Sequence, residues 1–229
     1  MNQYFIRARL FPTILTSIPI IIFINYVLNK ELYPSLEQIY SILPTLTSFG
    51  ISGAIIFLSI QINRIVSKEL FQKFYFNEEI EMPTTKMILW QDSKLDKNIK
   101  SKIRKKINDR FQIKLKNEIE EISDLEGSKK QIVFAVSQIR NLLRGNIFLF
   151  RHNIEYGFIR NLIGGSLIAF IISIIILTYA LITQDKTLEI TSIILIIIYI
   201  LPLIFSKFII NMFGNYYAKT LYEQFLTEK

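Results

Sequence analysis

Four stretches of the chain are long enough and apolar enough to cross a lipid bilayer. They cover residues 10–28, 43–62, 162–183 and 188–210. The first has nineteen residues without a charge, which as a helix measure about 28 Å, close to the roughly 30 Å hydrocarbon core of a bilayer. The sequence is 51% hydrophobic and only 20% charged, a balance typical of chains that meet lipid. We therefore predict an α-helical integral membrane protein with four transmembrane helices.

The charged residues outside these stretches are distributed unevenly. Segment 64–161 carries twenty basic and thirteen acidic residues, whereas segments 29–42 and 184–189 each carry one base and two acids. Arg7 and Arg9 precede the first stretch without an acid. Because basic loops remain on the cytoplasmic side, we predict that both termini and segment 64–161 are cytoplasmic. An even number of crossings is required for this, in agreement with four spans.

The predicted organisation is two membrane hairpins separated by a cytoplasmic insert. Residues 1–63 form the first hairpin and residues 162–210 the second. Residues 64–161 form a basic cytoplasmic domain, and residues 211–229 form a cytoplasmic tail.

Within the insert, Lys97–Phe111 predicts an amphipathic helix, because Ile99, Ile103, Ile107 and Phe111 recur every four residues. The basic residues on the rest of its circumference are candidate ligands for phosphate: Lys100, Lys102, Lys105, Lys106 and Arg110. Arg140 and Arg144 form a second candidate set. Three interpretations remain open, namely a solvated face, contact with anionic lipid headgroups, and capture of a phosphate-bearing ligand.

The remaining insert predicts both helix and strand. Residues 84–90 and 111–115 have strand character, so the insert is predicted to be α or α+β. Residues 128–150 predict a longer helix with Ser128 as N-cap and a kink at Gly145. The inward seam of that helix consists of Ile132, Val136, Ile139 and Leu143.

Residues for enzyme chemistry are sparse. The chain has no cysteine and a single histidine, His152, which excludes thiol chemistry and multi-histidine metal sites. Phosphate-binding glycine loops and hydrolase motifs are also missing from the sequence. The acidic residues at 118, 120, 121, 124 and 126 are flanked by lysines at 114, 116, 129 and 130 and predict a solvated helix. We therefore predict that the chain is not an enzyme and has no catalytic site, metal or cofactor.

The second span differs from the others in its small polar residues. Ser48, Ser52 and Ser59 tend toward one side of the helix, and Gly50 and Ala54 permit close helix approach. The hydroxyl groups are either contacts between helices or the lining of a water-filled path, and we keep Ser48, Ser52 and Ser59 as candidate pore-lining residues. No span carries an acid or lysine at its middle, which disfavours an ion-coupled transporter.

The junction between the insert and the third span combines aromatic, amide and glycine residues. Its candidate functional residues are Tyr156, Gly157, Phe158, Arg160 and Asn161. One interpretation is an interfacial collar that anchors the helix at headgroup depth. The other is a coupling element, with Gly157 and the pair Gly164–Gly165 as hinges, that transmits a cytoplasmic signal into the third span.

Three motifs carry a resemblance to a known family. The run Tyr-Gly-Phe-x-Arg-Asn-Leu at 156–162, Pro-Thr-Thr at 83–85 and Arg-x-Arg-Leu-Phe-Pro at 7–12 resemble small bacterial multi-span proteins encoded near anti-phage defence genes. The layout is similar to that of membrane effectors controlled by a nucleotide signal, among them the Hailong-type channel effector.

The resemblance implies a channel or pore effector in the bacterial inner membrane. It would be gated by a nucleotide or short oligonucleotide on its cytoplasmic domain. Because four uncharged helices in one protomer leave little room for water, conduction requires a homo-oligomer, for which we expect a tetramer. A neighbour-encoded nucleotidyltransferase would be a partner. The alternative is a non-conducting anchor or scaffold subunit that positions a cytosolic partner at the lipid bilayer.

Overall fold

The computed structural model describes residues 3–28, 44–77 and 79–228, with the backbone alone described at 25, 27, 28 and 44–52. The structure is 84% helical, and the described residues contain no strand. The chain divides into two compact units. Unit 1 consists of residues 1–71 and 157–207, and unit 2 consists of residues 72–156 and 208–229.

Unit 1 begins with a helical N-terminal segment in which α and π hydrogen-bonding alternate. Its α-helical parts are α1 (Gln3–Phe5), α2 (Phe11–Thr16) and α3 (Ile18–Ile22), and its π-helical parts are Ile6–Leu10 and Phe23–Leu28. Pro12 and Pro19 lie in the first turns of α2 and α3. A proline is tolerated there because the missing N–H has no partner within the helix.

Three long helices complete unit 1. They are α4 (Pro44–Val66), which continues into a π-helical segment at Ser67–Gln72, α10 (Ile147–Thr183) and α11 (Lys186–Ile204). Residues 147–156 of α10 belong to unit 2. Asp185 caps α11, because its side chain accepts hydrogen bonds from the main-chain N–H groups of Thr187 and Leu188.

Helices α10 and α11 are each long and apolar enough to cross a membrane. Only 33% and 22% of their most apolar windows are buried, whereas the core helix of a soluble protein would be mostly buried. They match the third and fourth predicted spans, although α10 begins at Ile147 rather than at 162 and α11 ends at Ile204 rather than at 210. The first two predicted spans fall on the N-terminal segment and on α4, and their crossing of the membrane stays a prediction.

Unit 2 contains shorter helices around one apolar core. They are α5 (Lys73–Phe76), α6 (Pro83–Lys86), α7 (Lys97–Phe111), α8 (Glu118–Ser123), α9 (Leu125–Leu142) and most of α12 (Ser206–Thr227). The core includes Ile88, Ile103, Ile107, Ile132, Ile139, Leu221, Tyr222 and Phe225. Burying these large side chains provides the main driving force for folding.

The predicted amphipathic helix over Lys97–Phe111 is confirmed as α7. Asp96 caps its start by accepting a hydrogen bond from the N–H of Asn98 at 2.8 Å, and Gln112 ends it in the left-handed conformation with φ 57°. Ile103 and Ile107 are fully buried, as the four-residue spacing predicts, while Ile99 is 39% exposed.

The two predicted strands are wrong. Residues 84–86 lie in α6, which begins at Pro83, and Phe111 is the last residue of α7. Residues 112–117 have no helical or strand assignment, and Ile113 and Leu115 pack against the core from its edge. Alternating apolar residues stabilise a strand only where another strand supplies hydrogen-bond partners, so the described part of unit 2 is α rather than α+β.

The predicted helix over 128–150 is two helices in the structure. Asp124, rather than Ser128, caps α9, because its side chain accepts from the N–H of Gly127 at 2.9 Å. The helix ends at Leu142, and Gly145 has φ 96°, a conformation that favours glycine. Gly145 therefore lies in a break between α9 and α10 rather than at a kink in one helix.

The C-terminal tail predicted over 211–229 is not separate from unit 2. Ala218, Leu221, Tyr222 and Phe225 of α12 lie in the core of unit 2. The Tyr222 hydroxyl donates to the main-chain carbonyl of Thr84. The tail therefore completes the core of unit 2 with an apolar face that repeats every three to four residues.

Candidate functional site

The helices of unit 1 bury polar side chains and expose apolar ones. In the N-terminal segment Thr13 and Thr16 are buried, whereas Phe11, Ile14 and Ile18 are exposed. A helix at the surface of a soluble protein has the opposite arrangement. This inverted polarity fits a surrounding of lipid, in which polar groups must find partners inside the protein.

The same inversion is found in α4, α10 and α11. The buried polar residues of these helices are Ser59, Asn63, Asn161, Ser166, Ser173 and Ser192. Their exposed apolar residues include Phe57, Leu58, Ile62, Ile171, Ile175, Leu181, Ile190, Ile194, Ile197 and Leu201. Four helical segments therefore share one pattern, although only two of them are long and apolar enough to be identified as candidate spans.

Asn63 connects α4 to the N-terminal segment. Its Nδ2 donates to the hydroxyl oxygens of Thr13 at 3.2 Å and Thr16 at 3.1 Å, and the Asn63 side chain is buried. The Thr16 hydroxyl donates in turn to the main-chain carbonyl of Pro12 at 3.0 Å. The side-chain NH2 group of Asn63 and both threonine hydroxyls thus have hydrogen-bond partners within the protein.

Asn161 connects α10 to two other segments. Its Nδ2 donates to the main-chain carbonyl of Ala8 at 2.7 Å, and its Oδ1 accepts from the Ser67 hydroxyl at 3.1 Å. Asn161 is buried. Together with the contacts of Asn63, these hydrogen bonds form a polar cluster that joins α10, the N-terminal segment and the α4 region.

The glycines of α10 permit close helix contacts. A Cβ on Gly164 would lie 2.6 Å from the main-chain oxygen of Asn63 and 2.7 Å from the Cβ of Ser67. A Cβ on Gly157 would lie 2.8 Å from the Tyr4 hydroxyl. Helix α10 runs without a break past both positions, so close packing accounts for these glycines in the structure, and their role as hinges stays a prediction.

Of the three candidate pore-lining serines, Ser59 is the one whose side chain the structure describes. Ser59 is 7% exposed, so its hydroxyl faces the interior of unit 1. Ser48 and Ser52 lie in the part of α4 whose side chains are outside the described residues. The lining of a path by Ser48 and Ser52 stays a prediction.

Lys100 is not available to a ligand, which contradicts its predicted position on an exposed basic face. The residue is fully buried. Its Nζ donates to the main-chain carbonyls of Leu89 at 2.6 Å, of Trp90 at 3.4 Å and of Asp92. Burial lowers the pKa of the Lys100 ammonium. The side chain therefore holds the turn after α6 against α7.

A second buried base lies beside Lys100 and was not among the predicted site residues. Arg104 forms an ion pair of 2.5 Å with Glu121 and donates to the carbonyl oxygens of Ile88 at 3.0 Å and Lys116 at 2.6 Å. The guanidinium stacks over the Trp90 ring at 4.5 Å. The only sequence signal for this network is that Arg104 falls between Ile103 and Ile107 on the inward side.

The other candidate bases of α7 divide into exposed and engaged residues. Lys102 and Lys105 are exposed, and Arg110 is exposed with polar contacts of its own. Lys106 donates to the main-chain carbonyls of Leu226, at 3.3 Å, and Glu228 near the end of α12. Lys102, Lys105 and Arg110 thus form the exposed part of the predicted basic face.

Arg140 and Arg144 do not form one set. Nη1 of Arg140 lies 3.2 Å from both carboxylate oxygens of Glu79, whereas Arg144 is exposed. Arg144 follows the end of α9, so the helical spacing that relates the two arginines in the sequence does not hold. Of this pair, Arg144 is the residue that is accessible to a ligand.

The predicted coupling residues lie within α10, which passes from unit 2 to unit 1 between Tyr156 and Gly157. Asn161 and Gly157 make the buried contacts described above. Tyr156, Phe158 and Arg160 are half-buried. A role of these five residues in signal transmission stays a prediction.

No group of three or more histidine, cysteine, aspartate or glutamate residues that could hold a metal ion is found among the described residues.

No protein-family model matches the chain, and neither the curated proteins nor the solved structures contain a significant match.

Proposed function

We propose that this chain is a multi-span protein of the bacterial inner membrane that assembles with copies of itself into a channel controlled by a phosphate-bearing ligand. The inverted polarity of unit 1 is the observation that carries the membrane part of the proposal. Buried threonine, serine and asparagine combined with exposed isoleucine and phenylalanine would be unfavourable in water. The same arrangement is favourable in lipid.

Four spans are proposed because four helical segments share this polarity. With four crossings, the charge distribution along the chain places residues 64–161 and both termini in the cytoplasm. Reporter fusions test the topology. Fusions after Lys94 and at the C-terminus should behave as cytoplasmic, and a fusion near Glu37 should behave as external. An external signal after Lys94 would contradict the four-span arrangement.

The channel activity rests on the resemblance to nucleotide-controlled effectors and on the hydroxyl groups of α4. Because Ser59 and Asn63 face the interior of unit 1, a path along an assembly axis would use the first half of α4, with Ser48 and Ser52. The test is potassium efflux from liposomes that contain the purified full-length chain. Efflux above that of empty liposomes is expected, and its absence across lipid compositions and ligands would contradict the channel.

Single cysteines locate the path, since the chain has no cysteine of its own. Ser48→Cys and Ser52→Cys should react with a small charged thiol reagent and should then block efflux. Ser59→Cys is the matched control and should remain unreactive, because Ser59 is 7% exposed. Equal reactivity at all three positions would contradict a path restricted to the first half of α4.

The phosphate-bearing ligand is proposed to contact Lys102 and Lys105, with Arg144 as a separate candidate. Lys100, Lys106 and Arg140 are left out because each already donates to protein oxygens.

Binding of ATP and of short single-stranded oligonucleotides to the purified chain should weaken as salt rises, since each phosphate contact releases a counterion. Lys102→Glu with Lys105→Glu should abolish it. Lys114→Glu with Arg151→Glu, a matched change of exposed bases, should retain it.

A second candidate function is a non-conducting anchor or scaffold subunit. It is favoured by the outer face of the described half of α4, where the large apolar residues Phe57, Leu58, Ile62 and Ile65 are exposed. An anchor would give no efflux, and Ser48→Cys and Ser52→Cys would remain unreactive. It would instead co-purify with a cytosolic protein encoded beside it.

A further inference from the structure

Helix α8 buries its acidic residue and exposes its isoleucines. Glu121 is fully buried, whereas Ile119 is 80% exposed and Ile122 is 65% exposed. In water this arrangement is unfavourable, because the apolar side chains would be better placed in the core and the carboxylate outside. Unit 2 therefore displays a pair of large apolar side chains, three residues apart on one short helix.

The contacts of Glu121 fix this orientation. One carboxylate oxygen accepts from Arg104 at 2.5 Å, and the other accepts from the main-chain N–H of Trp90 at 2.6 Å. Asn117 and Glu120 cap the start of the helix reciprocally. Since successive residues of a helix are rotated by about 100°, an inward Glu121 requires that Ile119 points outward. Buried ion pairs of this kind often specify a geometry more than they stabilise it.

The charges beside the isoleucines indicate what can cover them. Glu118 and Glu120, which flank Ile119 in the chain, are both exposed. Anionic headgroups would be repelled by these carboxylates, so a lipid surface is disfavoured. A protein surface that combines apolar and basic residues is the complementary partner.

Such a surface is present on the neighbouring helix of the same unit. Lys102 and Lys105 are exposed on α7, and Ile99 is 39% exposed. Helices α7 and α8 are joined by the ion pair of Lys97 with Glu118 at 3.0 Å and by that of Arg104 with Glu121. The two neighbouring helices thus carry exposed charges of opposite sign together with exposed isoleucines, which allows pairing with a second copy across a two-fold axis.

We propose that two copies of this chain pair through α7 and α8, with Ile119 and Ile122 near the two-fold axis. Lys102 and Lys105 of each copy then face Glu118 and Glu120 of the other, so the proposed phosphate-bearing ligand would compete with this contact for the same two lysines. The contact is small, but both copies would be held in one membrane, which raises their effective concentration. The inference rests on the proposed homo-oligomer and names its cytoplasmic interface.

Disulfide trapping in native membranes tests the contact directly, because the chain has no cysteine. Under mild oxidation, Ile119→Cys and Ile122→Cys should give a dimer on a non-reducing gel that reductant removes, since a disulfide requires Cα atoms within about 7 Å. Phe134→Cys is the control, at a residue 57% exposed on α9, and should remain monomeric. Equal dimer at all three positions, or none at 119 and 122, would overturn the proposal.

A second measurement does not depend on disulfide geometry. Ile119→Lys with Ile122→Lys changes only exposed side chains, so the variant should fold but should have a smaller particle mass in detergent than the wild-type chain. An apolar contact with lipid or with a different protein would leave the two masses equal, which overturns the proposal. A wild-type chain that is itself monomeric would overturn both this interface and the homo-oligomeric channel. A wild-type oligomer unchanged by the substitutions would overturn the interface alone.

Discussion

The side-chain amide of Asn161 donates a 2.7 Å hydrogen bond to the main-chain carbonyl of Ala8, 153 positions earlier in the chain. The same amide accepts a hydrogen bond from Ser67. One buried side chain thus connects α10 with the N-terminal segment and with the end of the α4 region. In an apolar surrounding these partners cannot be replaced by water, so the three segments are held in one register.

Replacing Asn161 by alanine should therefore destabilise unit 1. The carbonyl of Ala8 and the hydroxyl of Ser67 lose a partner, and the expected loss is about 1–2 kcal/mol. Asn153→Ala, at an exposed position of the same helix, is the control and should change little. The measurement is thermal unfolding of the detergent-purified chain, and equal midpoints for the two variants would argue against the polar cluster as a stabilising contact.

Alanine at Gly164 should be more harmful than alanine at Gly53. The added Cβ at 164 would lie 2.6 Å from the main-chain oxygen of Asn63, which cannot move aside, whereas a Cβ at 53 meets nothing within 4 Å. We expect Gly164→Ala to cost about 1–3 kcal/mol and Gly53→Ala to be neutral or stabilising. Thermal unfolding of both purified variants checks the difference. A neutral Gly164→Ala would show that α10 and α4 approach less closely.

Methionine at Lys100 should destabilise unit 2, although methionine at Lys102 should not. The buried ammonium supplies the hydrogen bonds to the carbonyls of Leu89, Trp90 and Asp92, and three carbonyl groups are left without that donor in Lys100→Met. A loss of about 2–4 kcal/mol is expected, measured by thermal unfolding of the full chain. Similar midpoints for the Lys100 and Lys102 variants would contradict a structural role for Lys100.

The stability of the protein should fall at alkaline pH in a way that depends on Tyr222. Complete burial raises the pKa of this phenol well above its ordinary value of 10.0. The unfolded chain therefore releases the proton first. The contribution of Tyr222 to stability is complete below pH 10 and is lost as pH rises toward the folded-state pKa.

Tyr222→Phe should reduce this alkaline loss while costing about 1 kcal/mol at neutral pH for the hydrogen bond to Thr84. Unfolding midpoints of both proteins between neutral pH and pH 11 provide the measurement. Parallel curves over the whole range would mean that Tyr222 does not titrate on unfolding.

Local patterns identified the helices of unit 2 that have strong periodicity. The bounds of α7 follow from Ile99, Ile103, Ile107 and Phe111, because a helix repeats its apolar face every three to four residues. The strand predictions over 84–90 and 111–115 failed because strand character in a short segment is also only a local signal. A strand exists only if another segment supplies hydrogen-bond partners.

The candidate site could be predicted only in part. The sequence shows that α7 is rich in lysine and arginine. It does not show that Lys100 is buried, that Lys102 is exposed and that Lys106 donates to main-chain carbonyls. Lys100 is buried because carbonyl groups of the turn after α6 lie within its reach, and Lys106 is engaged because the end of α12 lies beside it. The partners of Lys106 are distant in the chain, and those of Lys100 lie in a turn for which the sequence contains no recognisable motif.

The sequence by itself determined the apolar character of the helices of unit 1 and the basic character of residues 64–161, since composition and charge are local properties. The tertiary structure decided which polar groups are buried and paired, as with Asn63 and Thr16, or Asn161 and Ala8. It also decided that α12 completes the core of unit 2 and that Glu121 turns inward while Ile119 turns outward. These outcomes depend on contacts between segments far apart in the chain, whose geometry is settled only when the helices pack together.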